Sequence, residues 1–196
     1  MDRGALWLIR HGETEWSRTG RHTGRTNLAL TARGEADAAA LAPRLAGRSF
    51  ACVLISPLDR AQRTAALAGL QGDADPDLLE WDYGAVEGRT TADIRSDRAD
   101  SAWTIWRDPI PAGETPGEQS EQVAERAGRV LRRCEPHLLA GADCVLVAHG
   151  HLLRILTATW LGLPSVAARL FTLDAGALST LGYEHEQPVI LTWNTR

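Results

Sequence analysis

The sequence predicts an α/β fold, a three-layer α/β/α sandwich whose central sheet is mostly parallel and covered by helices on both faces. Three observations carry that prediction. Short apolar runs at residues 5–9, 52–55 and 144–148 end abruptly in polar residues, as strands buried on both faces do. Segments with helical grammar separate them, so strands and helices alternate. Polar clusters follow each run directly, which places chemistry at the carboxyl ends of the strands.

The elements follow in chain order. Residues 5–9 form the first strand. Thr31 opens an Ala-rich helix that ends near Gly47 and is bent or shortened by Pro43. The second strand, 52–55, leads into Ser56-Pro57-Leu58-Asp59, in which serine reads as the N-cap and proline as a first-turn residue. Thr115-Pro116-Gly117-Glu118 reads as a capping box, and Val123, Ala127, Val130, Leu131, Cys134 and Leu138 behind it make one apolar helical stripe. After the third strand, residues 152–161 read as a helix, and 177–183 and 189–193 as two closing strands. No repeat, low-complexity tract or linker interrupts the chain, and 196 residues suit one domain with a sizeable core.

Composition narrows the chemistry. All 21 basic residues are arginine and none is lysine, which excludes a Walker A loop, a pyridoxal Schiff base and class I aldol chemistry. Most of these arginines fit the codon bias of a GC-rich genome. A net charge of −4 with mixed signs leaves no basic footprint for nucleic acid or a membrane surface. No apolar run approaches a membrane span or a signal-peptide core, so a cytoplasmic location is expected. The three cysteines show no metal-ligand spacing, and their odd number argues against a disulfide framework. Cys52 and Cys144 read as inert core thiols.

His11 and His149 each follow an apolar strand and precede a glycine, with Arg10 beside the first and Arg60 in the first turn of a helix. Opposed imidazoles with arginine forks form a pocket for a dianionic phosphoryl group. Lysine at Arg10 or Arg60 would lose the planar fork that grips two phosphate oxygens.

These residues carry a resemblance. Leu8-Ile9-Arg10-His11-Gly12-Glu13-Thr14 resembles the signature of the histidine phosphatase superfamily, also called phosphoglycerate-mutase-like. Thr23-Gly24, Leu30-Thr31 with Gly34, Ser56-Pro57 with Arg60 and Thr64, Glu80 to Gly84 with Glu87-Gly88, Gly113-Glu114-Thr115 and Ala148-His149-Gly150 follow in the family's order. The resemblance implies one histidine-phosphatase domain over residues 1–196, with His11 as the nucleophile that becomes phosphorylated. Arg10, Arg60 and His149 would hold the phosphoryl oxygens, and Glu80 would be the general acid and then the base. Ser17, His22, Thr23, Gly24, Trp81, Tyr83 and His151 are the candidates for substrate contact. It implies no cofactor and no metal, because arginine and histidine supply the positive charge.

The departures bear on activity. Ser17 and His22 stand where mutases of the family carry Asn and commonly Phe. Only 68 residues separate Glu80 from His149, whereas the mutases have a longer segment there that covers the pocket. A shorter cover admits water and favours hydrolysis of a small phosphate ester. Trp103 to Asp108, His149 to Arg154, and Leu173 to Gly176 with Leu181 to His185 resemble fungal sedoheptulose-1,7-bisphosphatases and small actinobacterial acid phosphatases. Both resemblances imply a sugar phosphate or another small phosphomonoester. A phosphoglycerate-type mutase and a non-catalytic phospho-ligand-binding module are the rival readings. His151 either touches substrate or orients its helix, and Arg107 either meets a second anionic group or pairs on the surface. Oligomeric state is not legible.

Overall fold

The computed structural model describes residues 3–196. A six-stranded sheet has the order β3-β2-β4-β1-β5-β6. β1 (Leu6–Arg10), β2 (Phe50–Ile55), β3 (Asp73–Ala74) and β4 (Asp143–Ala148) pair in parallel. β5 (Leu178–Glu184) runs antiparallel to β1, and β6 (Gln187–Thr195) returns as its hairpin partner. The helices are α1 (Glu15–Thr19), α2 (Ala32–Ala39), α3 (Ala42–Leu45), α4 (Asp59–Leu67), α5 (Thr91–Arg98), α6 (Ser120–Leu139) and α7 (Gly150–Trp160). Among the described residues no helix is long and apolar enough to cross a membrane.

The apolar runs are continuous because each strand serves two cores. In β1, Leu6 and Leu8 join the core beneath α6 and α7, while Trp7 and Ile9 join the core beneath α2 and α4. β4 divides likewise, with Cys144, Leu146 and Ala148 on one side and Val145 and Val147 on the other. This is the period of two expected of a strand covered on both faces. The α6 stripe is buried at Val123, Ala127, Val130, Cys134 and Leu138, with Leu131 partly buried at its margin.

Three helix boundaries differ from the sequence reading. The 31–47 segment is two helices, because a proline at position 43 cannot continue the first: its ring would strike the carbonyl of Ala39. Ser56 is not the N-cap of α4. Leu58 holds that position without a side-chain cap, and the Ser56 hydroxyl is engaged by His149 instead. Thr115 does not cap α6 either. Gln119 and Gln122 form the capping box, while Thr115 donates to Asp82 Oδ1.

At the carboxyl end of β1, Gly12 meets α2 with no room for a side chain. A Cβ there would lie 2.2 Å from the Gly34 carbonyl oxygen, and one on Gly34 would lie 2.2 Å from the Glu13 oxygen. Thr31 caps α2 through the Gly34 N–H and donates its hydroxyl to Glu13 at 2.8 Å. The Arg10-His11-Gly12 turn is therefore clamped to the helix that follows it.

Candidate active site

The ends of β1, β2 and β4 deliver His11, Ser56 and His149 to one edge of the sheet. The His11 and His149 rings are 5.0 Å apart between centroids. His11 Nδ1 lies 2.7 Å from the Gly12 carbonyl oxygen, which can only accept. The ring proton therefore sits on Nδ1, leaving Nε2 with a free lone pair. His149 has the opposite tautomer. Its Nδ1 accepts from Arg60 Nε at 3.2 Å, so its Nε2–H donates to Ser56 Oγ at 2.7 Å.

A cavity of about 290 Å³ opens in front of His11, and Arg10, Ser17, Arg21, His22, Thr23, Glu80, Tyr83, Thr91, His151 and Arg154 are among its lining residues. Arg10 donates through Nη1 to the Leu173 carbonyl, while its buried Nε has no partner in the protein. Arg60 and His149 do not line the cavity but lie directly behind it. Arg60 is fully buried and donates to the carbonyls of Thr23, Gly24 and Thr26 as well as to His149. It thus ties the 23–26 loop to His149.

Glu80 has a structural role that the sequence did not reveal. The N-cap position of α7 is His149, which makes no side-chain cap. Glu80 fills that role from a distant loop: Oε1 accepts from Leu152 N at 2.8 Å and Trp81 N at 2.9 Å, and Oε2 accepts from His151 N at 3.0 Å. The positive end of the helix and these N–H groups hold the carboxylate at the cavity wall. Arg126, 5% exposed on α6, fixes the loop from below by donating to the carbonyls of Asp77, Leu79 and Glu80. It is itself neutralised by Glu118 at 2.9 Å. Nothing local in the sequence marks Arg126, since its partners lie about 8 to 49 residues away.

The remaining candidates divide. His22, Thr23, Tyr83, His151 and Ser17 reach the cavity. The Ser17 hydroxyl is already committed to Thr14, accepting from its N–H at 2.9 Å and donating to its carbonyl. Tyr83 hydrogen-bonds His151 Nδ1, and His22 packs against the Tyr83 ring with centroids 5.1 Å apart. Trp81 and Gly24 are not brought to the cavity. Trp81 is 1% exposed and donates its indole N–H to the Glu118 carbonyl, because its bulk is needed in the core. Gly24 is absent from the cavity wall because it is pressed against Trp81, where a Cβ would lie 2.5 Å from the Trp81 oxygen. Arg107 is a surface residue paired with Asp100 and Asp108. Arg21 and Thr91 line the cavity without having been singled out. The position of Arg21 beside His22 is the only signal the chain offered.

Burial governs the titration of the site. It holds His11 and His149 well below the ordinary histidine range, with the charges of Arg60 and Arg10 adding to the effect. His151 is held well below that range by burial and Arg154, and burial lowers His22 to about 4. In the unfolded chain these rings protonate near 6.5. Below that pH the unfolded state binds more protons, so stability is complete above about 6.5 and falls as the pH drops toward 4. His22 alone contributes a loss of roughly 3 kcal/mol at the acid end. Urea midpoints should therefore fall steeply between pH 7.5 and 5; a flat profile would contradict neutral buried imidazoles.

Gly150 offers a second check. A Cβ there would sit 3.1 Å from Arg10 Cζ and Nε, pushing a guanidinium already pinned by Leu173. Gly150→Ala should lower kcat/KM about 10-fold to 100-fold and weaken inhibition by inorganic phosphate, with the fold intact. Steady-state kinetics alongside circular dichroism would check it.

Comparison with known proteins agrees with this geometry. A family model described as histidine phosphatase superfamily (branch 1) matches residues 6–196. An acid phosphatase of Mycobacterium tuberculosis is 39% identical over 184 residues, covering 92% of this chain and 87% of that protein. A sedoheptulose 1,7-bisphosphatase of Saccharomyces cerevisiae is 33% identical over 189 residues, covering 80% of this chain and 67% of that protein. The solved structure of the open reading frame Rv3214 from Mycobacterium tuberculosis superposes with a TM-score of 0.88 at 35% identity, covering 98% of this chain and 97% of that one. With the match spanning nearly the whole chain and the sheet order placing two histidines at one edge, the protein belongs to the histidine phosphatase superfamily, branch 1, and is a phosphoric monoester hydrolase of that family.

Proposed function

We propose that the protein hydrolyses a small phosphorylated metabolite, a sugar phosphate, through a phosphohistidine on His11. The observation that carries this reading is the tautomer of His11. With Nδ1–H held by the Gly12 carbonyl, the neutral ring presents Nε2 to a cavity shared with Arg10 and Glu80. Low proton affinity keeps that lone pair free at neutral pH.

In the first step Nε2 attacks phosphorus and the P–O bond to the sugar breaks, while Glu80, which enters this step protonated on Oε2, gives that proton to the leaving alkoxide. In the second, water attacks the phosphohistidine, Glu80 takes the proton, and the N–P bond breaks to release phosphate. Oε2 of Glu80 is the oxygen suited to this exchange, because Oε1 already accepts two N–H groups and Oε2 only one. Arg10 meets the phosphoryl oxygens with its unpartnered Nε, a buried donor whose isolation costs about 1–3 kcal/mol until an acceptor arrives. Arg60 and His149 act from behind, adding positive field and fixing the loop and ring. The cations are supplied by the protein, so no metal ion enters either step. The names of the mycobacterial and yeast relatives support a small phosphate ester as substrate.

Rapid quenching with a ³²P-labelled ester tests the mechanism. Label should appear on His11, labile in acid and stable in alkali. Label on a serine or a carboxylate would overturn the mechanism. A panel of sugar phosphates, phosphoglycerates, phosphoamino acids and nucleotides identifies the substrate class, and preference for anything but a sugar phosphate would displace that part of the reading.

A further inference from the structure

We propose that Cys52, Cys134 and Cys144 form a three-sulfur site for a soft, thiophilic cation of low coordination number, copper(I). They are the only cysteines in the chain, separated by up to 92 positions in sequence, yet the fold gathers all three. Cys52 comes from β2, Cys144 is its direct neighbour on β4, and Cys134 descends from α6 onto both. Their sulfurs lie within 4.8 Å of one another. A trigonal ion with metal–sulfur bonds of about 2.3 Å needs sulfurs roughly 4 Å apart, so the thiols close on it by less than about 1 Å.

The ligand set decides the ion. Among the described residues no imidazole or carboxylate joins this group. Calcium and magnesium need oxygen, and structural zinc needs a fourth ligand. Three sulfurs alone select the soft cuprous ion. Competing bonds are weak: the thiols face one another, and Cys144 Sγ lies 3.8 Å from the Cys134 carbonyl. Cys134 and Cys144 are fully buried, whereas Cys52 is only half-buried and gives the ion a way in. Each thiol that binds as thiolate releases its proton to solvent, and no electron is transferred. The site is remote from the phosphate cavity: Cys144 begins β4 and His149 follows its end, roughly 16 Å along the strand.

The test is an anaerobic titration of the reduced full-length protein with copper(I) buffered by bicinchoninate. The expected result is one ion per chain, an ultraviolet thiolate-to-copper band, three sulfur neighbours by X-ray absorption, and slower alkylation of Cys52 in the wild-type protein. Losing a group that merely orients a ligand costs about 10-fold to 100-fold in metal affinity, so Cys52→Ser, which removes a ligand outright, should weaken binding by at least about 100-fold. Its phosphatase rate and circular dichroism should stay unchanged. No binding against the chelator, fewer than three sulfurs, nitrogen neighbours, or an affinity untouched by Cys52→Ser would each overturn the proposal. The alkylation readout needs no variant and so does not depend on one folding.

Discussion

His11→Ala is expected to lower phosphatase turnover by at least about 10⁴-fold while leaving the fold intact. In the proposed mechanism His11 is the one group whose removal leaves no first step, and electrostatic binding by the arginines accounts only for residual activity. The variant should still bind inorganic phosphate or vanadate, because Arg10, Arg60 and His149 are not built on the missing ring. Structural cost should be slight. His11 is 5% exposed and its side chain makes one hydrogen bond, to its own neighbour Gly12. Loss of a buried neutral imidazole also removes one of the groups that make the protein acid-sensitive, so the variant should lose less stability than the wild type between pH 7.5 and 5. Retention of wild-type turnover would exclude His11 as nucleophile. Unfolding of the variant would show that the ring has a structural role that its contacts do not display.

The second large effect is on stability. Arg126→Met keeps the length of the side chain but strips the 77–80 segment of its support, leaving three carbonyls without their donor and Glu118 with only its longer pair to Arg25 at 3.5 Å. Breaking a buried pair from one side costs about 3–5 kcal/mol. For a chain of this size that corresponds to a fall in Tm of roughly 6–20 °C. Activity should drop as well, since the backbone that carries Glu80 is the one released. Adding Glu118→Gln should restore part of the stability, because the half-buried charge left with only the longer Arg25 pair is then gone. A double-mutant cycle by urea denaturation would measure the coupling, and additive effects would show that the pair does not act as a unit.

The contrast between these two residues shows what was legible in the chain. His11 announces itself locally: an apolar run, an arginine, a histidine and a glycine in succession define a strand, a pocket edge and a turn. Gly12 and Gly34 were legible as motif positions, and the reason, the meeting of their two backbones, appears only in three dimensions. Boundary signals misled where a side chain had a stronger distant partner. Ser56 gives up capping for His149, and Thr115 gives it up for Asp82. Trp81 and Gly24 belong to two motif blocks that lie along the site, yet both are spent on packing. The capping of α7 by Glu80 spans 72 positions between Glu80 and Leu152, and the thiol cluster spans 92 between Cys52 and Cys144. Local pattern cannot see such pairings, because they depend on which elements the sheet order makes neighbours.

That sheet order also sets a timetable for synthesis. β1 is made first, but its partners are β4, through Leu6 with Cys144, and β5, through Leu6 with Leu181. A nascent chain carries Ala5 to Ile9 and His11 out of the ribosome long before β4 or β5 exists to receive them. Contacts of such long sequence separation slow folding and leave apolar strand exposed while the chain waits. A product truncated before Ala148 would hold His11, Arg60 and Glu80 yet have no edge on which to assemble them. The site can therefore assemble only after β4 and β5 have been made.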